Sequence, residues 1–221
     1  MKINLTATRP AHFPEYWPGQ YDLFSHLEFA CGIPHVLFVI TTLKENGQPN
    51  ACFHAWSSFS GDSGGYYAFM PGLSHGSHTY KNILRTGEFV INFIGPAYFD
   101  AASATIAENG DDMDEIAAGG FTAEPSVSVS CPRLKEAFLS LECRLEEDVA
   151  LRASQGSNPS TIIVGRVVHI AAEEDYARGL DEKYGDSGFM MNLHAPKDLQ
   201  TGEGKPSAVA VCKIVRINEA G

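Results

Sequence analysis

The chain has 221 residues, 44% of them hydrophobic, and its 27 acidic against 16 basic residues give a formal charge of −11. That length and apolar content suit a single domain spanning 1–221 with a sizeable core. The acidic balance argues against partners such as nucleic acid or an anionic membrane, because both call for concentrated lysine and arginine.

The opening MKINLTATRP lacks an apolar h-region, so no signal peptide is expected. The longest apolar run, Val36 to Ile40, is too short to span a bilayer. Five widely spaced cysteines without a C-x-x-C pair fit a reduced, cytoplasmic protein.

Residues 1–30 form an aromatic, proline-rich extension (Phe13, Tyr16, Trp17, Tyr21, Phe24) that does not read as one helix. A buried strand is expected over His35 to Leu43, rich in Val, Ile and Thr. Asn46-Gly47 is a hairpin signal, with the return strand over Gln48 to Trp56. A third strand, Tyr66 to Met70, should stop at Pro71-Gly72. A short helix is expected over Thr79 to Arg85 and a strand over Glu88 to Ile94. Two short helices should fall between Ala97 and Ala118, with a break at Asn109-Gly110. Phe138 to Val149 alternates apolar and polar residues as a half-buried strand does. A polar loop (152–159), a strand over Ser160 to Ile170, a surface excursion (181–206) and a last strand over Ser207 to Ile217 complete the chain. Strands outnumber helices and short turns join them. A mainly β (α+β) fold follows, an antiparallel barrel with a few covering helices.

The segment from Ser74 to Phe93, SHGSHTYKNILRTGEFVINF, is a Ser/Thr/His loop feeding a helix. The first N–H groups of a helix have no internal partner and the helix dipole favours negative charge there, so this is a natural anion cradle. Upstream, Asn50 to Ser58 ends in Trp56-Ser57-Ser58, an aromatic wall beside two hydroxyls. A planar aromatic ligand with a phosphate tail matches both parts, whereas a buried tryptophan followed by a plain turn is the simpler alternative. Two further chemistries have candidate residues. Cys52, His54, His75 and His78 are zinc-ligand types without closed-site spacing, so no metal site is assigned. Cys31 as a nucleophile has no histidine placed beside it. Walker, Rossmann and nucleophile-elbow motifs are absent.

The order of these pieces resembles the flavin reductase-like, FMN-binding split-barrel family, to which flavoredoxin belongs. The similar pieces are Asn50-Ala51, Trp56-Ser57-Ser58, H-T-Y-K-N-I at 78–83, T-G-E-F-V-I-N at 86–92, Cys131-Pro132, Arg133-Leu134, L-E-C at 141–143 and I-V-G-R-V-V at 163–168. Together they cover about residues 33–190. The resemblance implies a Greek-key split β-barrel forming a homodimer, with FMN near the subunit boundary and NADH or NADPH as hydride donor. It implies cofactor contacts from Asn50, Trp56, Ser57 and Ser58 along the ring and ribityl chain. Ser77, His78 and Thr79 would hold the phosphate with Asn82 behind, and Gly188-Phe189 would touch the ring. A non-catalytic FMN-binding or electron-transfer role is the alternative.

Three positions depart from the family pattern. Glu115 stands where a lysine is common and would repel a nearby phosphate. Ser160, close to Asn158, stands where a histidine is common. Gly61-Asp62-Ser63-Gly64-Gly65 replaces the usual D-P-P-L.

Overall fold

A computed structural model describes residues 1–107, 109–151, 159–178 and 183–215. The expected polar loop at 152–158, including Asn158, lies outside the described residues, as do the start of the 181–206 excursion and the end of the last expected strand. The chain divides into two compact units: residues 1–35 with 191–210, and residues 36–190 with 211–221.

In the first unit, helices α1 (Gln20–Leu23) and α2 (His26–Cys31) carry the aromatic extension. Ser25 caps α2 by accepting the Leu27 N–H, and Gly32 ends it in the left-handed conformation that glycine adopts without strain. Phe29, fully buried, is ringed by Tyr16, Tyr21, Phe24 and His194 with centroids 5.0–6.2 Å away. Lys197 is drawn into the same aromatic region. Its Nζ donates to the Pro14 carbonyl at 2.7 Å and lies 4.1 Å from the Tyr16 ring centroid, a cation–π contact that offsets some of its desolvation.

The second unit holds the barrel. Its strands belong to the series β1 (His35–Val36), β2 (Phe38–Leu43), β3 (Pro49–His54), β4 (Ser58–Asp62), β5 (Gly65–Ser74), β6 (Glu88–Phe93), β7 (Ala123–Glu124), β8 (Arg133–Leu134), β9 (Leu139–Ala150), β10 (Ser160–Ala172), β11 (Met190–Asn192) and β12 (Val209–Val211). Seven of these form one sheet in the order β3-β2-β6-β9-β10-β5-β4, and every neighbouring pair is antiparallel. The split-barrel architecture expected from the sequence is what the chain adopts. Helices α3 (His78–Thr86), α4 (Phe99–Ala107), α5 (Glu115–Ala118) and α6 (Glu174–Ala177) lie between or after strands.

The period-two rule sorts the core. On β2, Phe38 and Ile40 join Met70, Phe89, Ile91, Leu141 and Ile163 in one cluster. Leu37 and Val39, from the opposite face, join Ala102 of α4 and Ile116 of α5 in a second. With both faces covered, β2 reads as a continuous apolar run rather than an alternating one. Asn92, at the end of T-G-E-F-V-I-N, is fully buried. Its amide nitrogen donates to the Val39 carbonyl and the Thr41 hydroxyl, each at 3.1 Å. Its oxygen accepts from the Leu134 N–H and the Ser140 hydroxyl, each at 3.0 Å. That side chain clasps four segments. Gly165 marks a close approach, for a Cβ there would stand 2.2 Å from the Phe89 ring.

Several boundaries differ from the sequence expectation. The first strand is interrupted at Leu37, giving β1 and β2. β5 does not stop at Pro71-Gly72 but runs to Ser74. Ile162 pairs with Pro71 and Thr161 with Leu73, so Gly72, at φ 84°, is the extra residue of a bulge that accommodates the proline. Residues Gly61 to Gly65, which replace the family's D-P-P-L, close a hairpin between β4, a strand not among those expected from the sequence, and β5. The Asp62 carboxylate accepts the Gly64 N–H there at 2.7 Å. The last strand is shorter than expected, Val209–Val211.

Candidate anion cleft and its buried polar support

Ser77 is the N-cap of α3. Its hydroxyl accepts the Tyr80 N–H at 3.2 Å and donates to the Ser74 carbonyl at 2.8 Å, which ties the preceding loop into a turn. Helix α3 ends at Gly87, left-handed at φ 70°. Beside its first two turns lies a cleft of about 570 Å³ lined by Lys44, Glu45, Asn46, His78, Lys81, Asn82, Arg85 and Asp111. Lys81 and Arg85 bring two cations to this lining against the carboxylates of Glu45 and Asp111, while the charge of Lys44 is met by buried Glu115.

Behind the cleft is a buried polar network. Asn50, Thr79, Thr42, Asn82, Lys44 and Glu115 are all largely withdrawn from water. The Asn82 amide donates to the Thr42 hydroxyl at 3.0 Å. The Asn50 amide satisfies its neighbours when its nitrogen faces Glu115 Oε2, 3.3 Å away. Its oxygen then accepts from the hydroxyls of Thr42 and Thr79 at 3.2 and 3.1 Å. Glu115 Oε2 also accepts the Ala51 N–H at 3.0 Å, and Oε1 meets Lys44 Nζ at 2.7 Å. Lys44 spends its other two donors on the carbonyls of Gly110 (2.5 Å) and Met113 (2.9 Å). Each ion therefore has its full complement of partners, the condition under which a buried pair is tolerated. The repulsive acid expected at Glu115 is thus corrected: its charge is met at contact distance by Lys44.

His78 stands between this network and the cleft. Its Nε2 is 2.8 Å from Asp111 Oδ1, and its Nδ1 is 3.5 Å from Glu115 Oε1. The second distance is within ion-pair range but too long for a good hydrogen bond, so Nδ1 is a buried nitrogen without a hydrogen-bond partner. The same holds for His75 Nε2 and Ser57 Oγ. The His75 ring stacks on Tyr80, centroids 4.6 Å apart.

The aromatic wall is at the other end of β3. Trp56 has φ 47°, a left-handed conformation unusual for a bulky residue and a sign of local strain. Its ring packs edge-on to His54 at 5.9 Å and lies 3.8 Å from where a Cβ on Gly72 would stand. Burial pushes the His54 imidazole down to about 4, against the opposing pull of backbone groups of Pro71 and Trp56. Burial also pushes the Cys52 thiol up to about 11, so it stays protonated and is no nucleophile at neutral pH.

The structure brings Asn50, Thr79 and Asn82 together with Lys44 and Glu115, and sets Ser77 and His78 at their edge. The Thr79 hydroxyl is committed to Asn50, which leaves its backbone N–H as the group on the loop side. Trp56 lies against Gly72, two residues before Ser74. Ser58 begins β4 opposite Phe69, and Ser160 begins β10 opposite Ser74. Phe189 packs elsewhere, against Phe93 and Phe138 at 5.2 and 5.0 Å. Lys44 was not singled out in the sequence, although a lysine directly after a buried apolar strand and before an Asn-Gly turn was the available signal.

The sequence profile described as flavin reductase like domain matches residues 30–187. An uncharacterized protein of Bacillus subtilis, YwrF, is 26% identical over 144 residues, 64% of this chain and 70% of that one. Nitrilotriacetate monooxygenase component B from Bacillus cereus superposes with a TM-score of 0.70 at 18% identity, covering 98% of this chain and 100% of that one. An FMN-binding protein from Thermus thermophilus, with 1-cyclohex-2-enone bound, does so with a TM-score of 0.65 at 18% identity, covering 99% and 100%.

Proposed function

Because the chain belongs to the flavin reductase-like domain family, we propose that it is an FMN-binding oxidoreductase that takes hydride from NADH or NADPH. The observation that carries this reading is the cleft beside the capped start of α3, lined by Lys81 and Arg85, together with buried polar atoms on Ser57, His75 and His78 that lack a hydrogen-bond partner in the protein. That donor set fits a ligand with a phosphate at one end and a polar aromatic ring at the other.

FMN, when bound, supplies the two-electron chemistry at its ring, and the protein supplies position and electrostatics. The His78 side chain and the free first-turn N–H groups of α3 hold the phosphate. Ser57, whose buried hydroxyl has no hydrogen-bond partner in the protein, would offer it to a polar group of the ring, and Trp56 would supply an apolar wall. Asn50 and Thr79 fix β3 against α3, so phosphate and ring contacts keep a constant separation. Lys44 keeps the Glu115 carboxylate neutralised beside the phosphate. No acid–base residue is required, since orientation of donor and acceptor is the main contribution to hydride transfer. The protein acts as a cytoplasmic homodimer in this reading.

Titration with FMN and with riboflavin, followed by flavin fluorescence, tests it. FMN should bind at least tenfold more tightly than riboflavin, and His78→Ala should remove most of that difference. Equal affinity for the two flavins, or none for either, would overturn the assignment. FMN binding without NADH or NADPH oxidation would instead support the electron-transfer alternative.

A further inference from the structure

Gly188-Phe189, which plays no part in the anion cleft, belongs to a second cavity. The loop from Lys183 to Phe189 is pinned by the Phe189 N–H donating to the Lys183 carbonyl at 3.0 Å and by the Gly185 N–H donating to the Cys212 carbonyl at 2.8 Å. Gly188 makes that closure possible, because a Cβ there would fall 2.0 Å from the Lys183 oxygen. Ser187 packs onto Gly95 just past β6, where a Cβ would lie 2.5 Å from its carbonyl oxygen. Lys183 and Phe189 are thereby held side by side on the barrel wall.

They line a cavity of about 350 Å³ together with Phe59, Tyr66, Phe93 and Ile170. Phe93 is the hinge of its aromatic lining, with centroids 5.6 Å from Phe59 and 5.2 Å from Phe189. Among the described residues Lys183 is the charged member of the lining, and no ion pair or hydrogen bond engages its amine. An apolar, aromatic pocket of this size with one convergent charge is the usual form of a small-molecule site. A lysine of the lining whose amine has no partner among the described residues favours an anion, and the rings favour an aromatic body.

We propose that this pocket binds a small aromatic monocarboxylate, its ring against Phe59, Phe93 and Phe189 and its carboxylate on Lys183. The inference rests on the pocket alone and is independent of flavin binding. Small-molecule recognition here needs both halves, so the neutral analogue is a poor ligand.

The test titrates the full chain with 2-naphthoate and with 2-naphthamide, following naphthyl fluorescence, with light scattering to record mass. Naphthoate should saturate one site per chain, at least fivefold more tightly than the amide. Lys183→Gln should lower naphthoate affinity about tenfold and bring it level with the amide. Lys183→Arg should retain most of the affinity, and Phe189→Ala should weaken both ligands. Circular dichroism of each variant should match the parent. Absence of saturation, equal affinity for acid and amide in the parent, or naphthoate affinity unchanged in Lys183→Gln would each overturn the proposal. So would displacement of a second copy of the chain, seen as a fall in mass on adding naphthoate, because the groove would then be a subunit contact.

Discussion

Lys44 Nζ lies 2.7 Å from Glu115 Oε1, and both side chains are nearly sealed from water, at 6% and 2% exposure. Removal of either charge strands the other, which typically costs about 3–5 kcal/mol. Lys44→Met and Glu115→Leu should each destabilise on that scale, while the double variant should lose much less than their sum. Urea unfolding of the four proteins gives the coupling directly. Additive effects under 1 kcal/mol would mean that the pair is water-accessible in solution.

His54 should make stability fall in mild acid. Its folded value is lowered from 6.5 to about 4 by burial, so between these pH values the unfolded chain binds a proton that the folded chain refuses. Its contribution is complete above the unfolded value and declines as pH drops toward 4, by roughly 1.4 kcal/mol per pH unit. Between pH 7.5 and pH 5, the parent should lose about 2 kcal/mol more than His54→Gln, by the same relation. Equal losses in the two proteins would show that His54 protonates freely in the barrel.

Gly165→Ala should be destabilising because the added methyl would overlap the Phe89 ring at 2.2 Å. Overpacking of a well-filled core costs roughly 1–3 kcal/mol. Phe89→Leu in the same chain should recover part of that loss. A thermal melt of the single and double variants reads both effects, and an unshifted midpoint for Gly165→Ala would contradict the packing described.

Asn92→Ala would leave the Leu134 N–H and the Ser140 hydroxyl without their buried acceptor. Orphaned buried groups cost about 1–3 kcal/mol each, so this variant should rank among the most destabilising single changes in the barrel. Denaturant unfolding checks it. The loss should exceed that of Ser140→Ala, which deletes just one partner.

Much of the barrel was legible because its strands are long and patterned. Leu139, Leu141 and Cys143 alternate with polar neighbours, and Asn46-Gly47 announces its own turn. β4 was missed because Ser58 to Asp62 contains a glycine, two serines and an aspartate, and only pairing with β5 makes it a strand. β5 outran its proline because a glycine bulge follows at once. In the candidate site, Ser77 caps α3 and His78 lines the cleft beside it. Asn50 and Thr79 turned out to hold each other. A hydroxyl or amide in a sequence does not declare whether its partner is a ligand or a neighbouring strand. Lys44 and Glu115 meet across 71 positions of chain, a distance that no local pattern encodes.

Trp56 offers a built-in optical gauge. The chain has two tryptophans, and Trp17 belongs to the aromatic extension. Trp17→Phe would therefore give a barrel whose indole emission comes from one ring alone. That ring rests over Gly72, on the strand that runs into the turn tied by Ser74 and Ser77. Filling of the cleft by a colourless anion such as inorganic phosphate could then be followed in real time, with no flavin present.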